Sequence, residues 1–151
     1  MYIILKTNSF SVFILVPVLV IPNGYPFKPF KSVLMAFKSG IIKKKNALKP
    51  LQQIAEKFIA DVHLLLVKTP TYSEEDLVLD PILESLKTTS EIIESATTYQ
   101  GVLSKIDSYN PDVLCVFRRK RGFFKKLWEK NTVLKEEFDC RVPLLVLNGM
   151  R

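Results

Sequence analysis

The sequence predicts an α/β domain: a doubly wound, five-stranded parallel sheet with helices on both faces, preceded by one extra N-terminal strand. Three observations predict it. Short, near-continuous aliphatic runs recur along the chain, as strands buried on both faces require. Stretches with apolar residues at helical spacing separate them. An apolar run near the N-terminus repeats the motif near the C-terminus.

The elements follow in order. Ser11–Pro22 (SVFILVPVLVIP) is too short to cross a bilayer as a helix, which takes about 20 residues. It lacks a basic leader and a small-residue cleavage site, and Pro17 interrupts it, so it reads as a strand over 12–21 rather than a targeting segment. Val16-Pro-Val-Leu-Val-Ile-Pro-Asn-Gly24 is similar to Val142-Pro-Leu-Leu-Val-Leu-Asn-Gly149. That spacing is about one domain length, too long for a solenoid repeat. Residues 1–24 are therefore expected to be the closing strand of a preceding domain plus a linker punctuated by Pro22, Gly24, Pro26 and Pro29. Residues 25–151 are the domain proper, with Tyr25, Phe27 and Phe30 stapling the linker to it.

Ser32–Phe37 (SVLMAF) is the first strand of that domain. Asn46 is expected to cap a helix with Pro50 in its first turn and an apolar stripe at 47/48, 51, 54/55 and 58/59. Val62–Val67 (VHLLLV) is the second strand. Asp80-Pro81 opens a helix as N-cap and first helical residue. Glu91–Thr97 is a weaker strand, and 99, 102, 103 and 106 form another helical stripe, stopped by Tyr109-Asn110-Pro111. Asp112–Phe117 (DVLCVF) is a strand, Gly122–Trp128 and Asn131–Phe138 one broken helix or two short ones, and Pro143–Leu147 (PLLVL) the last strand.

Composition narrows the chemistry. The 151 residues contain two cysteines, Cys115 and Cys140, and one histidine, His63, which excludes a disulfide scaffold and a cysteine-built zinc site. The net charge of +7 is unevenly distributed. Residues 25–50 hold seven lysines and no acid, 118–130 seven basic residues and one acid, and 74–94 seven acids and one lysine. Such runs most often form solvated faces. Glu74-Glu75-Asp76 has no metal-loop spacing and reads as a solvated loop. Cys115 reads as a buried apolar residue, and His63 lies away from the strand ends where sites gather. Cys140 stands beside Arg141, which lowers a thiol pKa where the thiol is exposed.

"LKPLQQIAEKFIADVHLLLV" (48–67) resembles the first crossover of universal stress proteins. "YNPDVLCVFRRKRGFFKKLWEKN" (109–131) followed by "VPLLVL" (142–147) resembles their fourth strand, switch loop and final strand. The repeated closing strand is similar to that of tandem members of the family. The resemblance implies strand order 3-2-1-4-5, a role in stress response, a cytoplasmic location and homodimerisation through the final strand, here joined by the N-terminal strand.

Nucleotide-binding members carry an acid just after strand 1 and a glycine-rich loop after strand 4, closed by Gly-Ser or Gly-Thr. Here Lys38 stands at the first position, Arg118-Arg119-Lys120-Arg121-Gly122 begins the second, and Asn131-Thr132 replaces the closing pair. An amide nest needs glycine for close approach and positive φ, and Gly122 alone does not rebuild it. ATP binding by the usual route is therefore not expected. The degenerate cleft would consist of Lys38, Arg118, Arg119, Gly122, Asn131 and Thr132.

The expected function is a non-enzymatic regulatory or adaptor domain acting through dimerisation or a protein partner. It has no catalytic set, metal, cofactor or membrane association. Two alternatives stay open: a nucleotide- or phosphate-binding stress-response protein using the basic loop, and a basic nucleic-acid-binding domain.

Overall fold

The computed structural model describes residues 3–5, 16–22, 24–118 and 142–148. Its elements in chain order are β1 (Ile3–Leu5), β2 (Val18–Val20), β3 (Ser32–Phe37), α1 (Lys49–Phe58), β4 (Asp61–Lys68), a 3₁₀ turn (Glu74–Leu77), α2 (Pro81–Leu86), β5 (Thr89–Glu94), α3 (Thr98–Tyr109), β6 (Val113–Phe117) and β7 (Leu144–Leu147). They build one sheet of order β1-β2-β7-β6-β3-β4-β5. Its five domain strands, β5-β4-β3-β6-β7, are mutually parallel and stand in the expected order 3-2-1-4-5.

Alternation along each strand feeds two cores. Val33, Met35 and Phe37 of β3 join Leu51 and Ile54 of α1 and Leu83 of α2 on one face. Leu34 and Ala36 join Tyr99 and Val102 of α3 on the other. Both faces are covered, so the strands read as unbroken aliphatic runs. On the α3 face, Gly101 lets the helix approach β4: a Cβ there would lie 2.8 Å from Val67 Cγ1.

The N-terminal strand pairs with the final one within the chain. β2 runs antiparallel to β7, with Val18 opposite Val146, Leu19 opposite Leu145 and Val20 opposite Leu144. Val18 and Val20 are buried on the α3 face, while Leu19 packs against the opposite core. Only 18–20 of the expected 12–21 strand is assigned, and 11–15 lie outside the described residues. β1, which the sequence did not suggest, lies parallel to β2 on its outer side.

Several local expectations are corrected. Asn46 does not cap α1. It adopts a left-handed conformation (φ 64°) in the preceding turn, and Leu48 occupies the cap position without a side-chain bond. Pro50 is in the first turn as expected. The third domain strand covers Thr89–Glu94 rather than 91–97, because Thr97 serves α3 instead: its hydroxyl accepts the Gln100 N–H at 3.1 Å. Asp80 does cap α2, accepting the Ile82 N–H at 2.9 Å, with Pro81 first in the helix. Glu74–Asp76 are not a formless loop. They form a 3₁₀ turn fixed by Ser73 and Asp76, whose carboxylate accepts the Ser73 N–H at 2.9 Å. The segments expected as helices at 122–128 and 131–138 lie outside the described residues.

The linker crosses the amino-terminal edge of the sheet and is fastened at Asp112, the residue before β6. Asp112 Oδ2 accepts the backbone N–H groups of Lys31 (2.8 Å) and Ser32 (3.1 Å). Its Oδ1 pairs with Lys28 Nζ at 2.7 Å, and its carbonyl accepts the Tyr25 hydroxyl at 3.3 Å. Phe30 is buried and meets Phe58 edge to face. Phe27 is not a staple, for its side chain is fully exposed.

Candidate functional site

The chain runs β3, β4, β5 outward in one direction and then returns to place β6 on the other side of β3. The strand order reverses between β3 and β6, and the carboxyl ends of that pair are where doubly wound sheets bind ligands. Ala36 of β3 stands beside Val116 of β6. Lys38 and Arg118 lie two residues further along their strands, so the backbone register brings these two cations to the switch point together. Both are half-buried, and the Arg118 N–H donates to the Leu147 carbonyl at 2.7 Å. Arg119, Gly122, Asn131, Thr132 and Cys140 lie outside the described residues.

Sequence reasoning missed the neighbours of Lys38. The 3₁₀ turn docks on the loop after β3: the Gly40 N–H donates to the Asp76 carbonyl at 2.8 Å, and the Asp80 N–H to the Gly40 carbonyl at 3.0 Å. Gly40 makes this approach possible, because a Cβ there would sit 2.2 Å from the Val78 carbonyl oxygen. A hydrogen bond from the Ser39 side chain, then the Ser73 N–H, holds the Asp76 carboxyl below its ordinary range, and the Lys38 charge adds to the effect. An acid is thus supplied beside Lys38 from a different loop. The signal was the Ser73-x-x-Asp76 spacing, a variant of the capping box.

His63 lies toward the amino end of β4, away from the switch point. Its Nδ1 is 2.8 Å from Thr89 Oγ1, and its ring tilts against Tyr109 at 5.4 Å between centroids. The Tyr109 hydroxyl donates to Glu91 at 2.8 Å, and Lys105 pairs with the other oxygen of that carboxylate. Burial, then the Glu91 hydrogen bond, pushes the Tyr109 phenol up to about 12. The Lys105 ammonium and then the Tyr109 hydroxyl hold the Glu91 carboxyl down. Cys115 is fully buried in β6, and burial pushes its thiol up. Its environment is that of an inert core residue.

Among the described residues, no group of three or more His, Cys, Asp or Glu side chains is placed to hold a metal ion. No helix among them is long and apolar enough to cross a membrane.

Comparison with known proteins gives a consistent fold. No family model matches the sequence, and no curated protein matches it. A universal stress protein from Archaeoglobus fulgidus DSM 4304 superimposes with a TM-score of 0.61 at 20% identity, covering 91% of this chain and 51% of that one. A protein of unknown function from Pseudomonas aeruginosa PAO1 superimposes at 0.52 with 13% identity, covering 89% and 53%. The chain spans about half the length of these structures. The alternating layers, the strand order and these superpositions agree: the chain has the fold of the universal stress proteins.

Proposed function

We propose that this chain is a non-enzymatic regulatory or adaptor domain that works through association at the edge of its final strand. The observation that carries this reading is the antiparallel β2–β7 ladder. An aliphatic closing strand left bare would expose a row of unpaired backbone groups. Here a strand of matching sequence covers it and buries Val18 and Val20. The same ladder formed between copies, with each β2 on the other's β7, makes a homodimer by strand exchange.

The oligomeric state of the full chain, measured by light scattering, is to be compared with that of a chain beginning at Tyr25. Removing β2 is expected to change the assembly or cause aggregation. Unchanged state and solubility would overturn the reading. ATP is not the ligand on this reading, because Lys38 stands where the family places an acid and the glycine cradle is reduced to Gly122.

A second reading is favoured by the placement of Lys38 and Arg118 on adjacent strands at the switch point. Two cations there suit a phosphate group bound without a glycine nest. A thermal-shift titration with ATP and Mg²⁺ separates the two readings. Stabilisation that grows with ligand supports the phosphate site, and no shift at millimolar ligand removes it.

A further inference from the structure

The edge of the sheet opposite β7 carries a second surface. β5 is the terminal strand on that side, and among the described residues no strand pairs with its outer edge. One row of its backbone N–H and C=O groups is therefore available to another chain.

The devices that usually guard such an edge are missing. Thr89–Glu94 (TSEIIE) contains no lysine and no proline. Its half-buried charge, Glu91, is neutralised by Lys105 and accepts the Tyr109 hydroxyl, so it does not repel an incoming strand. Ile92, in the middle of the strand, is 55% exposed.

The surroundings are acidic. Residues 74–94 carry seven acids and a single lysine, Lys87, which is already paired with Glu84. Two copies joined β5 to β5 would bring like charges together, which disfavours self-association there. A cationic strand meets complementary charge instead.

We propose that the β5 edge is a docking surface for an extended, lysine- or arginine-rich peptide segment of a partner protein. The peptide is added to the sheet by main-chain pairing, with an apolar side chain over Ile92. Backbone bonds along β5 supply affinity, while the acidic flank and Ile92 select the sequence.

The test uses the full chain and a short fluorescent peptide alternating lysine with valine, followed by anisotropy. Binding is expected, weakening as salt is raised. It should weaken by about tenfold or more in Ile92→Lys, which removes the apolar contact and adds a like charge to the edge. Ile92 is more than half exposed, so the variant should keep the parent's circular dichroism and thermal midpoint. A peptide N-methylated at alternate amides cannot extend the ladder and should bind as weakly. Absence of binding would overturn the proposal. So would equal binding by Ile92→Lys, or equal binding of the N-methylated peptide, which would reduce the effect to bulk charge. Self-association of the chain dispersed by Ile92→Lys would assign the edge to a second copy and overturn it as well.

Discussion

Lys28 Nζ lies 2.7 Å from Asp112 Oδ1, joining the linker to the start of β6 across 84 residues of sequence. The other oxygen of that carboxylate takes two backbone N–H groups at the start of β3. One side chain thus anchors the linker and joins two central strands.

Asp112→Ala is expected to destabilise the fold by about 1–3 kcal/mol, because it leaves the Lys31 and Ser32 N–H groups without their acceptor. Lys28→Ala should cost under about 1 kcal/mol, since Lys28 is half-exposed and its pair is screened. Burial alone would raise the Asp112 carboxyl, but the bonds from Lys28, Lys31 and Ser32 bring it below its ordinary value. A depressed carboxyl contributes stability present above its unfolded pKa, about 3.9, and lost as pH falls through the folded value. Urea midpoints measured below about pH 4 should fall more steeply for the parent than for Asp112→Ala.

Gly40→Ala places a methyl group against the Val78 carbonyl, where both sides are backbone. The expected cost is about 1–3 kcal/mol by urea denaturation. The 3₁₀ turn should move off the loop after β3, taking Asp76 away from Lys38. Loss of the Asp76 carboxyl's depressed pKa, followed by NMR titration, reports that movement.

Ile59 ends α1 in a left-handed conformation (φ 51°) with its side chain 87% exposed. A β-branched residue is strained there, while its side chain buries almost nothing. Ile59→Gly is expected to stabilise by about 0.5–1 kcal/mol, the relief of strain exceeding glycine's entropic cost. A raised thermal midpoint checks it. Asn110 ends α3 in the same conformation (φ 43°), and asparagine tolerates it.

Tyr109 is held neutral, its pKa pushed up to about 12. A raised folded pKa contributes stability fully present below the unfolded value, about 10, and lost as pH rises through about 12. Tyr109→Phe should flatten the alkaline limb of the stability profile over that window, measured against the parent by urea midpoint.

The sheet was legible because its strands are buried on both faces. SVLMAF and VLCVF admit no other arrangement once helical stripes separate them. The strand order came from the resemblance, since periodicity alone does not say which strand adjoins which. Two kinds of feature were hidden. Asn46 and Thr97 each suit several local roles, and tertiary packing chose a left-handed turn for one and a helix cap for the other. Asp76 reaches the switch point only because Gly40 lets a distant turn settle on it, a contact with no local trace. For the site itself, Lys38 and Arg118 were readable as cations at strand ends, but the acid beside Lys38 was not.

The antiparallel run of β2 on β7 also fixes how this part of the molecule bears load. Val18 faces Val146 and Val20 faces Leu144, so Val16 and Asn148 emerge at the same end of the ladder. Tension applied between those two positions peels the strands apart one rung at a time and does not strain all rungs at once. The aliphatic seam is therefore a mechanically soft fastening, opened by a modest pull along one axis while the parallel strands behind it stay in register.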